Sequence, residues 1–205
     1  MHLARRAWCR TYQTVFRIAL PILPYTEPRI LEHAEDVPAV LQKRSIQRVL
    51  IVTDPGIARL GLTAPLETAL ASKGIGVTVY AETRANPTVS NVEEAASLYR
   101  ESACQAIIGF GGGSAMDCAK GVGARIAQPN KPINKMRGLL ARPPSPAAAH
   151  RRPPPPAGTG SEVTLAAVIT DDETHYKYPI NDFVLIPRFA VHDPEFTRGL
   201  PASIT

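Results

Sequence analysis

Residues 109–120 read Gly-Phe-Gly-Gly-Gly-Ser-Ala-Met-Asp-Cys-Ala-Lys and combine residue types that can bind a phosphate group. They follow the apolar run 106–108, which is typical of a buried parallel strand, and pass into a helix-like sequence. Glycines let the backbone approach an anion, and the N–H groups at a helix start point towards it. Ser114 is a favourable N-cap residue, and Asp117 completes a capping-box pattern. The alternative is a tight turn and a capped helix without a ligand, but three consecutive glycines exceed what that turn requires.

Such a phosphate site needs a sheet to carry it, and the chain alternates between strand-like and helix-like segments from residue 46 onward. The predicted strands are 48–53, 77–80 and 106–108, and the predicted helices are 60–73, 89–100 and a third ending near residue 127. Repeated β-α-β units imply a parallel sheet, which binds ligands at the carboxyl ends of its strands. Because Asp54, Asn86 and the glycines follow the three strands, we expect them on one rim of this sheet.

The segment 143–156 interrupts the alternation, because half of its positions are proline. Proline has no N–H group, so we predict that this segment forms neither a ladder strand nor a helix. A second glycine-rich turn follows at 157–162, then a predicted β-hairpin over 163–170 and 176–178. A further strand is predicted at 189–192. The sequence therefore predicts an α/β fold with a parallel sheet and a β-hairpin.

The composition narrows the classes of function. The chain has 205 residues, is 44% hydrophobic and carries a formal net charge of +5. Its arginines form no basic stripe interleaved with aromatic residues, so nucleic-acid binding is not expected. Its 3 cysteines are isolated, which suits a reducing cytoplasmic compartment and disfavours a zinc ribbon or a disulfide framework. We expect no membrane span, since no apolar run is long enough.

The N-terminal segment has a composition of its own. Its first 26 residues include four arginines and no acidic residue, which resembles a transit peptide. We favour the simpler interpretation of a segment that docks on the domain.

Several motifs in a fixed order resemble the iron-containing alcohol dehydrogenases. Residues 111–120 resemble the family signature GGGSxxDxAK, and residues 157–164 read AGTGSEVT, as in that family. Shorter matches follow the family order: Asp54-Pro55-Gly56, Asn86-Pro87-Thr88, Val168-Ile169-Thr170-Asp171, Lys177-Tyr178, Asp193-Pro194-Glu195 and Leu200-Pro201. The resemblance covers nearly the whole chain but only the N-terminal half of a typical member. Within the family it is nearest to the butanol-dehydrogenase-like branch.

The resemblance implies a Rossmann-like domain that binds NAD. Gly112, Gly113 and Ser114 would bind the pyrophosphate through backbone N–H groups. Asp54 would accept a hydrogen bond from the adenosine ribose and repel a 2′-phosphate, which favours NAD over NADP. A simple Asp-Pro-Gly turn also accounts for Asp54. The other implied cofactor residues are Asn86, Asp117, Thr159, Thr164 and Lys177; alternatives are helix capping for Asp117 and a solvated hairpin lysine for Lys177.

The resemblance also implies hydride transfer between a small alcohol or aldehyde and NAD, with Fe²⁺ or Zn²⁺ polarising the substrate oxygen. Family members bind that metal with one Asp and three His of an all-helical C-terminal domain, and full-length relatives are expected to be homodimers. We expect residues 1–205 to form the dinucleotide-binding domain, without the metal domain and with little activity alone. His175 and His192 lack the spacing of paired helical ligands and are interpreted as surface or packed histidines.

The chain departs from the family just before residue 157. Where the family has an apolar strand that ends in two threonines, this chain has four prolines, 153–156. We hypothesise a locally frameshifted stretch that returns to frame near residue 157. If the residues are genuine, a central strand and two cofactor contacts are lost.

Three other functions stay open. The chain could be a non-catalytic nucleotide-binding or interaction module, which a downstream GxDAxxHAxE-like helix would exclude. It could belong to a related polyol-phosphate or maleylacetate-type oxidoreductase, which the substrate domain would distinguish. A proline tract that binds aromatic grooves ranks last, since the tract has no clear repeat.

Overall fold

A computed structural model of the protein describes residues 10–11, 14, 26–139, 149–151 and 160–195. The N-terminal half of the described domain contains β1 (Arg29–Leu31), α1 (Asp36–Gln42), β2 (Arg48–Val52), α2 (Pro55–Arg59), α3 (Ala64–Ala71), β3 (Gly76–Tyr80) and α4 (Val89–Glu101). It is followed by β4 (Ala106–Gly109), α5 (Gly113–Ala127), β5 (Gly138–Leu139), β6 (Ala149–Arg151), β7 (Ala166–Thr170), β8 (Lys177–Asn181) and β9 (Phe189–Val191). Short 3₁₀ turns lie at Ile133–Lys135, Ser161–Val163 and Phe183–Leu185.

The central sheet has four parallel strands in the order β3-β2-β4-β6. The chain runs from β2 to β3 on one side, then returns through α4 to β4 on the other side of β2. The carboxyl ends of β2 and β4 therefore lie side by side where the strand order reverses. Open α/β sheets bind their ligands at such a position. The predicted α/β class with a parallel sheet is confirmed.

Both faces of this sheet are covered by helices. Leu50 and Val52 of β2 pack in one apolar cluster with residues of α4 and α5, whereas Val49 and Ile51 pack in a second cluster with α1 and α3. Successive residues of a strand point to opposite faces, so β2 must be apolar at both parities. This burial on two faces explains why β2 is an unbroken apolar run from Val49 to Val52.

Two smaller sheets complete the domain. The predicted antiparallel hairpin is present as β7 and β8, and β5 pairs in parallel with β8. β1 pairs in parallel with β9, and the Asp193 carboxylate accepts the N–H of Ala34 at 3.0 Å beside this pair. The sequence did not predict β1, α1, α2 and β5. They have three, seven, five and two residues, which is too short for a clear periodic pattern.

The prediction that residues 143–156 form no ladder strand is wrong at three positions. Residues Ala149–Arg151 form β6 and pair in parallel with β4. They lie between two groups of prolines and keep their own N–H groups, so they can donate to a ladder. The strand is at one end of the sheet order, where nearby prolines are tolerated. The rest of the stretch, with the hypothesised frameshift, and most of the N-terminal segment lie outside the described residues.

Two predicted boundaries also change. The helix predicted over 60–73 is α3, which begins only at Ala64 because Pro65 occupies its first turn, where proline is tolerated. The strand predicted from residue 163 begins at Ala166, since Ser161–Val163 form a 3₁₀ turn. Among the described helices, none is long and apolar enough to cross a membrane.

Cys118 is enclosed between α5 and the sheet and is 0% exposed. Burial raises the pKa of its thiol to about 12, and the nearby Asp117 carboxylate acts in the same direction. Because the thiolate is the reactive form, we expect iodoacetamide at pH 8 to leave Cys118 unmodified in the folded chain and to label it in urea. Peptide mass spectrometry measures this, with Cys104 as the comparison. Labelling of Cys118 in the folded protein at the rate of a free thiol would contradict its enclosure.

Candidate functional site

The loops that leave β2, β3 and β4 begin side by side. Beyond the strand ends, the N–H of Thr53 donates to the Tyr80 carbonyl at 2.9 Å, and the N–H of Phe110 donates to the Val52 carbonyl at 2.8 Å. These bonds keep the first residues of the three loops aligned in the same way as the strands before them. The predicted rim therefore exists, with Asp54 after β2, residue Asn86 after β3 and the glycines after β4.

The glycine turn contains two positions with different requirements. Gly111 has φ +128°, a backbone conformation that L side chains rarely adopt, and a Cβ there would lie 2.5 Å from Ile57 Cδ1. Gly112 has an ordinary extended backbone, with φ −72° and ψ −177°. A Cβ on Gly112 would meet no described atom within 4 Å. The fold thus requires glycine at 111, but neither the backbone nor the packing of the described residues requires it at 112.

The prediction that Ser114 and Asp117 cap α5 is wrong. The helix begins at Gly113, its N-cap is Gly112, and no side chain caps it within the described residues. Ser114 lies inside the first turn and its hydroxyl accepts the N–H of Asn86 at 3.2 Å. Asp117 accepts the N–H of Val168 at 3.2 Å and so joins α5 to β7. The start of α5 is therefore a helix terminus without a side-chain cap, which suits an anion.

Lys177, Asn86 and Ser114 form one hydrogen-bonded cluster. Lys177 Nζ donates to Asn86 Oδ1 at 2.9 Å, and the backbone of Asn86 in turn donates to the Ser114 hydroxyl. Asn86 has φ +63°, a left-handed conformation that asparagine tolerates better than most residues. Three residues that were predicted separately are thus brought together beside the start of α5, with an exposed ammonium group among them.

A buried asparagine supports this cluster. Asn91 is 4% exposed and forms a capping box with Thr88 at the start of α4. Its side chain also donates to the Tyr80 hydroxyl at 3.0 Å and accepts the N–H of Arg84 at 3.3 Å. These bonds fix the loop that carries Asn86. The sequence analysis missed Asn91, although a threonine three residues before it at a helix start is a capping signal.

The two carboxylate oxygens of Asp54 have different surroundings. Its Oδ1 accepts the N–H groups of Gly56 at 2.8 Å and Ile57 at 3.0 Å, so Asp54 is the N-cap of α2 where the sequence predicted a simple Asp-Pro-Gly turn. Its Oδ2 lies 3.4 Å from the position that a Cβ on Gly111 would occupy. The carboxylate therefore serves the turn with one oxygen and faces the glycine turn with the other.

Lys120 is buried, with 1% of its surface exposed, and donates to a segment distant in sequence. Its ammonium contacts the carbonyl oxygens of Ser161 at 2.9 Å, Thr164 at 2.7 Å and Ala166 at 2.8 Å, and the Thr164 hydroxyl at 2.8 Å. In the sequence, Lys120 is recognisable only as the last residue of the family signature GGGSxxDxAK. Thr164, a predicted cofactor contact, is engaged here with Lys120, and Thr159 lies outside the described residues.

A parallel sheet with reversed strand order, a glycine turn that enters a helix, and a carboxylate after the neighbouring strand define a dinucleotide-binding α/β domain. The family model of the iron-containing alcohol dehydrogenases matches residues 30–194. The chain belongs to this family of oxidoreductases, which uses NAD and a metal ion.

Individual relatives agree with this assignment. The chain is 36% identical over 165 residues to alcohol dehydrogenase 4 of Schizosaccharomyces pombe, covering 80% of this chain and 39% of that protein. It is 37% identical over 166 residues to 4-hydroxybutyrate dehydrogenase of Cupriavidus necator, covering 80% and 43%. The structure of sulfoacetaldehyde reductase from Bifidobacterium kashiwanohense in complex with NAD⁺ matches with a TM-score of 0.78 and 28% identity, covering 88% of this chain and 48% of that chain. The chain thus spans less than half the length of these relatives.

The described residues do not fit the metal of the family. No group of three or more His, Cys, Asp or Glu side chains that could bind a metal ion occurs in the parts of the chain that the structure describes. His175 is exposed in the turn between β7 and β8, and His192 is exposed directly after β9. No chemical step is therefore assigned to a metal on these residues.

Proposed function

We propose that this chain binds NAD⁺ across the carboxyl rim of its central sheet, as the cofactor-binding part of an NAD-dependent alcohol dehydrogenase. The observation that carries the proposal is Gly112. Neither the backbone conformation nor the packing of the described residues requires glycine at position 112. Gly112 lies at the start of α5, which has no side-chain cap among the described residues. A pyrophosphate that approaches the helix start closely accounts for a glycine at this position.

The residues of the rim would act on different parts of the cofactor. Backbone N–H groups of Gly112, Gly113 and Ser114 would bind the pyrophosphate, helped by the partial positive charge at the start of α5. Asp54 Oδ2 would accept a hydrogen bond from the adenosine ribose. The ammonium of Lys177, oriented by Asn86, would neutralise part of the phosphate charge.

The bound dinucleotide would supply the hydride acceptor for oxidation of a small alcohol to an aldehyde, with the hydroxyl proton released, and the reduced dinucleotide with a proton would reverse the reaction. The named residues bind and orient the cofactor for this transfer. We propose further that this chain shows little or no turnover by itself, because its described residues offer no ligand set for the metal on which the family depends. Oxidation of a primary alcohol by the purified 205-residue chain with Fe²⁺ or Zn²⁺ would contradict this.

Calorimetric titration with NAD⁺ and NADP⁺ tests the proposal, and the variant Asp54→Asn sharpens it. We expect NAD⁺ to bind more tightly than NADP⁺, and the variant to reduce this preference about tenfold, since a 2′-phosphate then meets no carboxylate charge. Asparagine is as good an N-cap as aspartate, so α2 stays capped.

Asp36→Asn is the matched control, because it removes an exposed carboxylate in the first turn of α1 and changes the net charge equally. It should leave the ratio of the two affinities unchanged. Absence of NAD⁺ binding would refute the proposed function, and an unaltered ratio in Asp54→Asn would refute the role of Asp54.

A further inference from the structure

The segment of residues 160–166 has little regular structure of its own. Gly160 has φ +55°, and the 3₁₀ turn Ser161–Val163 is followed by an extended residue, Thr164. Within the described residues its backbone carbonyls at 161, 164 and 166 converge on one donor group, the ammonium of Lys120. The carbonyl of Leu165 is held separately by the N–H of Asp182, and Ala166 pairs with Asn181 in the hairpin. Lys120 is thus the described side chain that gathers the remaining carbonyls of the segment.

The donor is well matched to that task. An ammonium group carries three N–H donors on a compact charge, and each bond from a charged donor is stronger than one between neutral groups. Burial removes the water that would otherwise compete for these donors. Lys120 lies two turns after the glycine turn on α5. One rigid helix thus connects the start of α5 to the segment 160–166.

The order of the strands places this segment along the proposed cofactor. Asp54 follows β2, the glycine turn follows β4, and the segment 160–166 follows β6 in the chain; these strands are neighbours in the order β2-β4-β6. If Asp54 contacts the adenosine ribose and the glycine turn contacts the pyrophosphate, the next position along the rim belongs to the nicotinamide half.

We propose that Lys120 is a positioning residue for the nicotinamide half of the cofactor. It acts through the segment 160–166, which it fixes against α5, and does not itself touch the cofactor. This inference rests on the proposed function. It predicts that Lys120 matters for the part of the dinucleotide beyond the pyrophosphate and matters little for the adenosine diphosphate part.

The test compares NAD⁺ with ADP in calorimetric titrations of the full chain and its Lys120→Met variant. Methionine keeps much of the side-chain volume and removes all three donors. We expect the affinity for NAD⁺ to fall about tenfold and that for ADP to change less than about twofold. Lys120→Gln, which keeps two N–H donors without the charge, should restore part of the NAD⁺ affinity.

Arg125→Met is the matched control. Arg125 is also a cation of α5 that donates to backbone carbonyls, those of Gln128 and Pro129, but it lies in the last turn of the helix and pairs with Glu93. It should leave the ratio of NAD⁺ to ADP affinity unchanged. An equal loss of both ligands in Lys120→Met, or a loss of neither, would overturn the inference, as would equal binding of ADP and NAD⁺ by the unmodified chain.

Amide hydrogen exchange tests, without any cofactor, whether Lys120 holds the segment 160–166 in place. In Lys120→Met the amides of residues 161–166 should exchange faster, while those of β2 and β4 stay protected. Uniformly faster exchange would show a general loss of stability and overturn the inference. If the unmodified chain binds neither ligand, the proposed function fails and the role in cofactor binding fails with it, while the exchange data still decide whether Lys120 anchors the segment.

Discussion

Replacing Gly112 with valine is expected to weaken NAD⁺ binding at least about 100-fold and to leave the fold intact. A valine side chain would project into the space above the start of α5, where a Cβ meets no described atom within 4 Å, and would exclude the pyrophosphate from the N–H groups there. The backbone at 112 is extended, which a β-branched residue adopts readily. We expect the free energy of unfolding to change by less than about 1 kcal/mol, the cost of a poorer N-cap.

Calorimetry with NAD⁺ and urea denaturation of the same samples measure the two quantities separately. Gly112→Ala, with a smaller side chain, should lie between the unmodified chain and Gly112→Val in affinity. Unaltered NAD⁺ affinity in the valine variant would place the cofactor elsewhere. A large fall in stability would show instead that Gly112 serves the fold.

Replacing the preceding residue, Gly111, with alanine is expected to have the opposite profile, with a loss of about 2–3 kcal/mol in the free energy of unfolding. The φ of +128° is strained for any L side chain, and the new Cβ would lie 2.5 Å from Ile57 Cδ1. The end of the Ile57 side chain can move, so the backbone conformation accounts for most of the cost. A fall in Tm of about 4–12 °C follows for a domain of this size.

Two variants separate the contributions at Gly111. Gly61→Ala is the matched control, since φ at Gly61 is +65° and a Cβ there meets nothing within 4 Å. It should cost only about 1–2 kcal/mol, the cost of a left-handed residue without a clash. The double variant Ile57→Val with Gly111→Ala removes the overlapping methyl and should recover part of the loss. Stability of Gly111→Ala equal to that of the unmodified chain would contradict the strained turn.

The parts of the fold that the sequence predicted are those that local patterns determine. β2 from Val49 to Val52 and β4 from Ala106 to Ile108 are apolar because both faces of the sheet are buried, and such runs can be recognised in the sequence before the pairing of the strands is known. The common rim of Asp54, Asn86 and the glycine turn could be predicted because each follows a strand of one parallel sheet. For Asp54 the sequence left a turn and a cofactor contact open; in the structure its Oδ1 caps α2, and the cofactor contact stays a proposal.

Other features depend on contacts between distant segments. Ser114 has a side chain that N-cap positions favour, but its hydroxyl accepts the N–H of Asn86, 28 residues away, and α5 begins at Gly113, one residue before it. Lysine is usually a surface residue, so the sequence gives no sign that Lys120 is buried. Its burial depends on carbonyl groups of residues 161–166, which are distant in sequence. β6 is enclosed by prolines and is defined by its partner β4.

The pairing of β1 with β9 has a consequence for the order of folding. The bond from Ala34 to Asp193 beside this pair joins residues 159 positions apart. The contacts of β2, β3 and β4 span much shorter separations and can form while the chain is still being synthesised. β1 must wait until β9 has emerged, and the closing of so long a loop is entropically costly and slow. β1, the first strand within the described residues, is therefore among the last of them to find its partner.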